Sequence, residues 1–143
     1  MFKKIAIAYD ESPASEHALT AAISLAASLG STLRIITVIE PLPGYVNMSL
    51  AIDPTLPERL QNERRERLKE VQKLALGHAS GAGVSADNIL TEGPEIDTIL
   101  AEVRAHGSEL LVIGLSQHQG LADFASTVHR VGLRAPCPIL AVQ

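Results

Sequence analysis

The chain has 143 residues, 46% hydrophobic and 20% charged, which is long enough to bury the core of one domain without disulfides or metal. Its 12 basic and 16 acidic residues give a formal charge of −4, which excludes the global positive field that favours nucleic acid binding. The single cysteine excludes an intrachain disulfide, and no apolar run reaches the length of a membrane span or a secretion signal. We therefore expect one domain over residues 1–143, cytoplasmic, with no nucleic acid partner, no membrane partner and no metal site.

The first part of the sequence predicts a strand, a helix and a second strand. Both strands are apolar runs: KKIAIAY (residues 3–9) and TLRIITVIE (residues 32–40). Between them, Ser12 as N-cap and Pro13 at the first helical position start a helix, which Gly30 ends. Residues 41–57 contain four prolines and a glycine, which predicts a long connection.

The second part continues the alternation of helices and strands. A helix is predicted from Glu58 to about Gly77, and its mixed charges indicate a face exposed to solvent. Pro94 opens the next helix, whose apolar residues recur at helical spacing, and a last helix is predicted over residues 121–134. The strands predicted here are NILTEG (residues 88–93), ELLVIG (residues 109–114) and PILAV (residues 138–142).

This alternation predicts an α/β fold of the Rossmann-like type. We expect a single five-stranded parallel sheet with helices on both faces and the strand order 3-2-1-4-5. In such sheets ligands bind beyond the carboxyl ends of the strands, where the strand order reverses. The loops after Tyr9 and Ile113 therefore face each other across one crevice, which places Asp10 near Gly114.

Several segments carry a family resemblance. They are AYDESPASEHAL (residues 8–19), TVIE (residues 37–40), EGPEIDTILAEV (residues 92–103), ELLVIG (residues 109–114) and RAPCPILAV (residues 134–142). With them the chain resembles the universal stress protein family over its whole length, and Ala-Pro-Cys-Pro before an aliphatic strand is the most specific match. The resemblance implies an adenine nucleotide alpha-hydrolase-like fold and a stress-response or regulatory function exerted through protein partners.

The resemblance also implies a position for adenine and ribose. In ATP-binding members, the acidic residue after the first strand and backbone groups near the end of the second strand hold these groups. The corresponding residues here are Asp10, with Ala8 and Tyr9 beside it, and Val38.

In those members the phosphates lie on a loop in which Gly-x-x-Gly is followed by a spacer and then by Gly-Ser or Gly-Thr. Gly114 matches the first glycine, whereas Gln117 stands at the second and Ala125 with Ser126 at the Gly-Ser pair, after a shortened spacer. A phosphate-binding loop needs inward N–H groups and no Cβ where an oxygen approaches. Because Gln117 and Ala125 each add a Cβ, the sequence predicts that ATP or ADP with Mg²⁺ binds weakly or not at all.

Other interpretations stay open. A polar loop ending at Gly120, with Ser126 and Thr127 near the start of the last helix, still offers donors and a helix dipole to an anion. The alternative function is therefore a universal stress protein that binds ATP through Gly114, Gly120 and Ser126 and hydrolyses it slowly. No complete catalytic constellation is present, so weak ATP hydrolysis is the most we expect. Each of these residues also has an interpretation that needs no ligand. Asp10 would form a turn, Gly114 would end a strand, and Ser126 and Thr127 would cap a helix.

The last strand predicts a subunit interface. At the edge of a sheet, PILAV would expose an apolar strand with no charge to protect it. Pairing with its copy in a second subunit would cover the strand, and universal stress proteins commonly form dimers in this way. We expect a homodimer through Pro138, Ile139, Leu140, Ala141 and Val142.

Overall fold

The computed structural model describes residues 1–47, 52–115 and 129–143. The strands are β1 (Lys4–Ala8), β2 (Thr32–Ile39), β3 (Ala86–Glu92), β4 (Leu110–Gly114) and β5 (Ile139–Val142). The helices are α1 (Pro13–Leu29), α2 (Gly44–Asn47), α3 (Leu56–Gly81) and α4 (Glu95–His106). Residues 129–134 are also helical.

Within the described ranges, the five strands form one parallel sheet in the order β3-β2-β1-β4-β5. The predicted fold class and strand order are therefore confirmed. The order reverses between β1 and β4, where Ile5 pairs with Leu110 and Ile7 with Val112. This reversal opens a crevice at the carboxyl ends of the two strands.

Both faces of the three central strands, β1, β2 and β4, are buried, because their residues alternate between two cores. One core, under α1 and α3, contains Ile5, Ile7, Leu33, Ile35 and Val112. The other, under α4, contains Ala6, Ile36, Leu111, Ile99, Leu100 and Val103. Burial on both faces explains why these strands read as continuous apolar runs in the sequence.

The first helix follows its local signals closely. The Ser12 side chain accepts a hydrogen bond from the Ser15 amide at 3.2 Å, as an N-cap does, and Pro13 occupies the first turn. Gly30 ends the helix in the left-handed conformation, at a φ of 65°. The predicted start and end of this helix are confirmed, and they fix the loop that connects it to β1.

Other boundaries differ from the predicted ones. Helix α3 runs from Leu56 to Gly81 and passes through Gly77, because its buried alanines, including Ala75 and Ala79, hold it against the sheet. The short helix α2 was not predicted. Of the predicted last helix, residues 121–128 lie outside the described residues. No helix in the described ranges is long and apolar enough to cross a membrane.

Candidate functional site

A crevice of about 390 Å³ opens at the carboxyl ends of β1, β2 and β4. It lies at the reversal of strand order, between the loop after β1, the first turn of α4 and the first half of α3. Its volume falls in the range of small-molecule sites, which is about 300–1,000 Å³. The position is the one that the strand order predicts for a ligand.

The floor of the crevice is aliphatic. The side chains come from three strands and from α4, and they include Ala8, Ile36, Val38, Ile96, Ile99 and Ile113. Most of these residues belong to the core on the α4 face or pack against it, so the floor is a continuation of that core. A surface of this kind suits the face of a flat, largely apolar ring.

Five of the predicted site residues meet at this crevice. Its lining includes Ala8, Tyr9, Asp10, Val38 and Gly114. The other four predicted residues lie outside the described residues: Gln117, Gly120, Ser126 and Thr127. The geometry thus brings together the residues predicted for adenine and ribose, and ligand contact by all nine stays a prediction.

Asp10 forms a turn before α1 and keeps one carboxylate oxygen available. Its Oδ1 accepts a hydrogen bond from the Ser12 amide at 2.8 Å, and its own amide donates to the Ser15 hydroxyl at 3.3 Å. Among the described residues, its Oδ2 has no hydrogen-bond partner. The turn interpretation of Asp10 is therefore correct, and the same turn holds a charged acceptor at the crevice.

Gly114 is required by packing. A Cβ at this position would lie 2.5 Å from both the carbonyl carbon and the oxygen of Ala14, and 2.8 Å from the Ser15 nitrogen. The end of β4 therefore touches the backbone of the first turn of α1, an approach that only glycine permits. This contact explains the glycine without a ligand.

Tyr9 anchors the loop after β1. Its ring lies in the core under α1 and α3, and its hydroxyl donates a hydrogen bond to the Glu16 carboxylate on α1. Burial raises the pKa of the Tyr9 hydroxyl, and the neighbouring Glu16 raises it further. Tyr9 is therefore a neutral hydrogen-bond donor at neutral pH. Sequence reasoning did not identify Glu16 as its partner.

Two carboxyl groups meet at the rim of the crevice, and sequence reasoning missed both. Glu40 follows β2 and Glu95 opens α4, so each stands next to an aliphatic part of the floor. Loss of hydration raises the pKa of Glu95 to about 7, and a hydrogen bond with Glu40 and the charges of Glu40 and Asp10 add to this rise. Glu95 therefore retains its proton to a higher pH than an ordinary glutamic acid does.

Helix α3 contributes two cations to the crevice. Arg67 forms an ion pair with Glu11, with 2.7 Å between Nη2 and Oε1. Arg64 donates from Nη1 to the carbonyl oxygen of Glu40 at 3.3 Å. The mixed charges of this helix indicated a face exposed to solvent, but Arg64 and Arg67 line the crevice because the first half of α3 passes beside the ends of the strands.

Metal binding has no cluster to support it in the part of the chain that the structure describes. There, no three His, Cys, Asp or Glu side chains group in a way that would hold a metal ion. The acidic residues at the crevice instead contact backbone amides, an arginine or each other.

The sheet and its crevice define a doubly wound α/β protein with a crevice at the reversal of strand order. The whole chain, residues 1–143, matches the universal stress protein family. It is 30% identical over 149 residues to universal stress protein YxiE of Bacillus subtilis and 28% identical over 146 residues to a universal stress protein of Thermus aquaticus, with full coverage of each pair. The chain belongs to the universal stress protein family, as the resemblance predicted.

Solved structures agree with this assignment. A universal stress family protein from Burkholderia pseudomallei superposes with a TM-score of 0.77 and 26% identity, covering 99% of this chain and 96% of that one. The chain also resembles a universal stress protein of Archaeoglobus fulgidus in complex with dAMP (TM-score 0.65, 19% identity, full coverage of both chains). A universal stress protein in complex with cAMP gives a TM-score of 0.63 at 20% identity, covering 99% of this chain and 96% of that one. At these last two identities the likeness shows the fold alone.

Proposed function

We propose that this chain is a dimeric regulatory protein whose crevice binds the nucleoside part of an adenine nucleotide and holds a triphosphate weakly. The observation that carries the proposal is the crevice itself, with its aliphatic floor and the Asp10 carboxylate at its edge. Nucleotide occupancy would be the signal, and contacts with other proteins the output. A cytoplasmic location stays a prediction.

The fit to a nucleoside follows from chemistry. The aliphatic floor offers van der Waals contact to a purine ring, and the Oδ2 of Asp10 is suited to accept hydrogen bonds from ribose hydroxyls. Because the turn holds Asp10 before a ligand arrives, little ordering cost is paid on binding. The dAMP and cAMP complexes of two proteins with this fold support an adenine nucleotide as the ligand class.

Two observations support weak binding of a triphosphate. The described lining holds four carboxyl groups and two arginines: Asp10, Glu11, Glu40, Glu95, Arg64 and Arg67. A chain of phosphates would share the crevice with the Asp10 and Glu40 carboxyl groups, which form no ion pair among the described residues, and repulsion between like charges is strongest at close range. In addition, Gln117 and Ala125 stand where the family resemblance implies two glycines of a phosphate-binding loop.

Calorimetry with adenosine and Mg-ATP tests the proposal. Asp10→Asn keeps an oxygen for the Ser12 amide but turns an NH₂ donor toward the ribose, so adenosine affinity should fall about tenfold. Asp87→Asn is the matched control, because Asp87 lies on β3 near the amino ends of the strands, where it pairs with Arg34. We expect its adenosine affinity to equal that of the wild type.

The outcomes separate the two functions. Adenosine binding that depends on Asp10, with Mg-ATP bound no more tightly, supports the proposed regulator. Micromolar binding of Mg-ATP accompanied by slow ATP hydrolysis would favour the alternative function instead. No binding of either compound up to millimolar concentration would contradict nucleotide recognition.

The dimer is proposed from the edge of the sheet. Strand β5 pairs with β4 on one side, and on its other side no strand lies among the described residues. The Leu140 side chain there is 38% exposed, and the strand carries no charge. We expect sedimentation at micromolar concentration to show a dimer that Leu140→Glu dissociates, with Leu74→Glu, an exposed leucine of α3, as the control. A wild-type monomer would contradict the interface.

A further inference from the structure

We infer that Arg64 binds the phosphate of a nucleoside monophosphate in this crevice. The inference rests on the proposed function and adds to it the class of nucleotide that the site prefers. It also assigns phosphate recognition to helix α3.

Arg64 and Arg67 are matched in position. They stand three residues apart on α3, so their side chains project from the same side of the helix. Both line the crevice, together with Leu68 between helix and sheet. A ligand that enters the crevice therefore passes within reach of two guanidinium groups.

The two arginines differ in their partners. Arg67 is 59% exposed and its charge is offset by Glu11 at 2.7 Å. Arg64 is half-buried, and among the described residues its guanidinium bonds only the neutral Glu40 carbonyl, at 3.3 Å, with no carboxylate within ion-pair distance. A guanidinium has five N–H donors, so most of those on Arg64 remain available. Their planar fork matches two oxygens of one phosphate.

The surrounding charges limit the anion to one phosphate. Asp10, Glu40 and Glu95 line the crevice together with Arg64, so each added phosphate group brings negative charge into a crevice that already holds carboxyl groups. Among the described lining residues, Arg64 is the cation without a carboxylate partner; it offsets part of the charge of one phosphate, and none of the described cations is left for a second. The site should therefore prefer a nucleoside monophosphate to both the free nucleoside and the triphosphate.

A comparison of AMP with adenosine isolates the phosphate contact. We would titrate the wild type, Arg64→Gln and Arg67→Gln with adenosine, AMP and Mg-ATP by calorimetry at constant ionic strength, after checking each fold by thermal melting. Arg64→Gln should lower AMP affinity about tenfold and leave adenosine affinity unchanged, since a charge-assisted hydrogen bond is lost. Arg67→Gln should change AMP affinity less than about threefold, because that arginine is exposed and already paired.

The outcomes distinguish this inference from the proposed function. Adenosine binding with the same AMP-to-adenosine ratio in the wild type and in Arg64→Gln would overturn the role of Arg64 alone. Equal losses in the two arginine variants would also overturn it, since general charge would then explain the effect. Mg-ATP binding more than about tenfold tighter than AMP would overturn the preference for one phosphate. A wild type that binds none of the three compounds would contradict the proposed function and this inference together.

Discussion

The two ends of the parallel sheet treat their charges differently. Near the amino ends of the strands, Arg34 of β2 meets Asp87 of β3 in a two-pronged ion pair, with both N–O distances at 2.8 Å. At the carboxyl ends, Arg67 pairs with Glu11, but Arg64 has no carboxylate partner in the described part of the chain. The pKa of Glu95 is raised there by loss of hydration and by the neighbouring Glu40. Paired charges serve the folded state, whereas unbalanced charges in a crevice are available to a ligand. The amino ends thus hold a paired charge, whereas the carboxyl ends hold a cation that a ligand can reach.

A Cβ added at Gly114, at the carboxyl end of β4, should have the largest effect on stability. Gly114→Ala forces a Cβ against the Ala14 carbonyl, and we expect it to lower the free energy of unfolding by about 3 kcal/mol. Gly77→Ala is the control, since a Cβ there meets nothing within 4 Å and helix propensity should raise stability by about 1 kcal/mol. Urea titration measures both. An unchanged stability in Gly114→Ala would mean that α1 and β4 are farther apart than described.

Loss of the Arg34–Asp87 ion pair, near the amino ends of the strands, should have a smaller effect on stability. The bond to Arg34 holds the pKa of the Asp87 carboxyl below its ordinary value, so the pair contributes stability above that value and loses it in acid. Asp87→Asn should lower the free energy of unfolding at pH 7 by about 1 kcal/mol, because the pair is partly exposed. Urea titration at pH 7 and pH 3 should show the difference from wild type shrinking in acid. A constant difference would indicate a cause other than charge.

Replacing Glu95 at the crevice should have the smallest effect, and it should raise stability instead of lowering it. Because the pKa of Glu95 is about 7 in the folded protein against an ordinary 4.5, the folded state retains a proton that the unfolded chain has lost. Wild-type stability should therefore fall as pH rises from about 4.5 to 7, and Glu95→Gln should remove that part of the fall. We expect a gain of less than about 1 kcal/mol at pH 8, since Glu95 stands at the exposed rim. Glu70→Gln, which removes an exposed charge on α3, is the control. Equal behaviour of the two variants would contradict the raised pKa of Glu95.

Sequence reasoning predicted the parts of the molecule that local signals determine. The Ser12 cap and the Gly30 end of α1 are encoded within a few residues, and the strand order follows from the alternation of helices and strands. That order alone brings Asp10 and Val38 to one crevice. These predictions needed no knowledge of distant contacts.

The remaining features depend on contacts between distant segments. Arg64 and Arg67 lie in a run of mixed charges, and only the path of α3 over the strand ends shows that they line the crevice. Glu95 is remote in sequence from Glu40, so its raised pKa has no local signature. Glycine is required at position 114 because the backbone of Ala14, one hundred residues earlier in the chain, lies against it. Such features need the tertiary structure.

The central claim is that the carboxyl ends of the strands bind a nucleoside. The most direct test is an NMR titration of the isotope-labelled protein with adenosine, which follows each backbone amide separately. We expect the amide signals of Asp10, Val38 and Gly114 to shift together, while those of Arg34 and Asp87 stay in place. Shifts confined to residues outside the crevice, or no shifts at millimolar adenosine, would contradict nucleoside binding at the carboxyl ends.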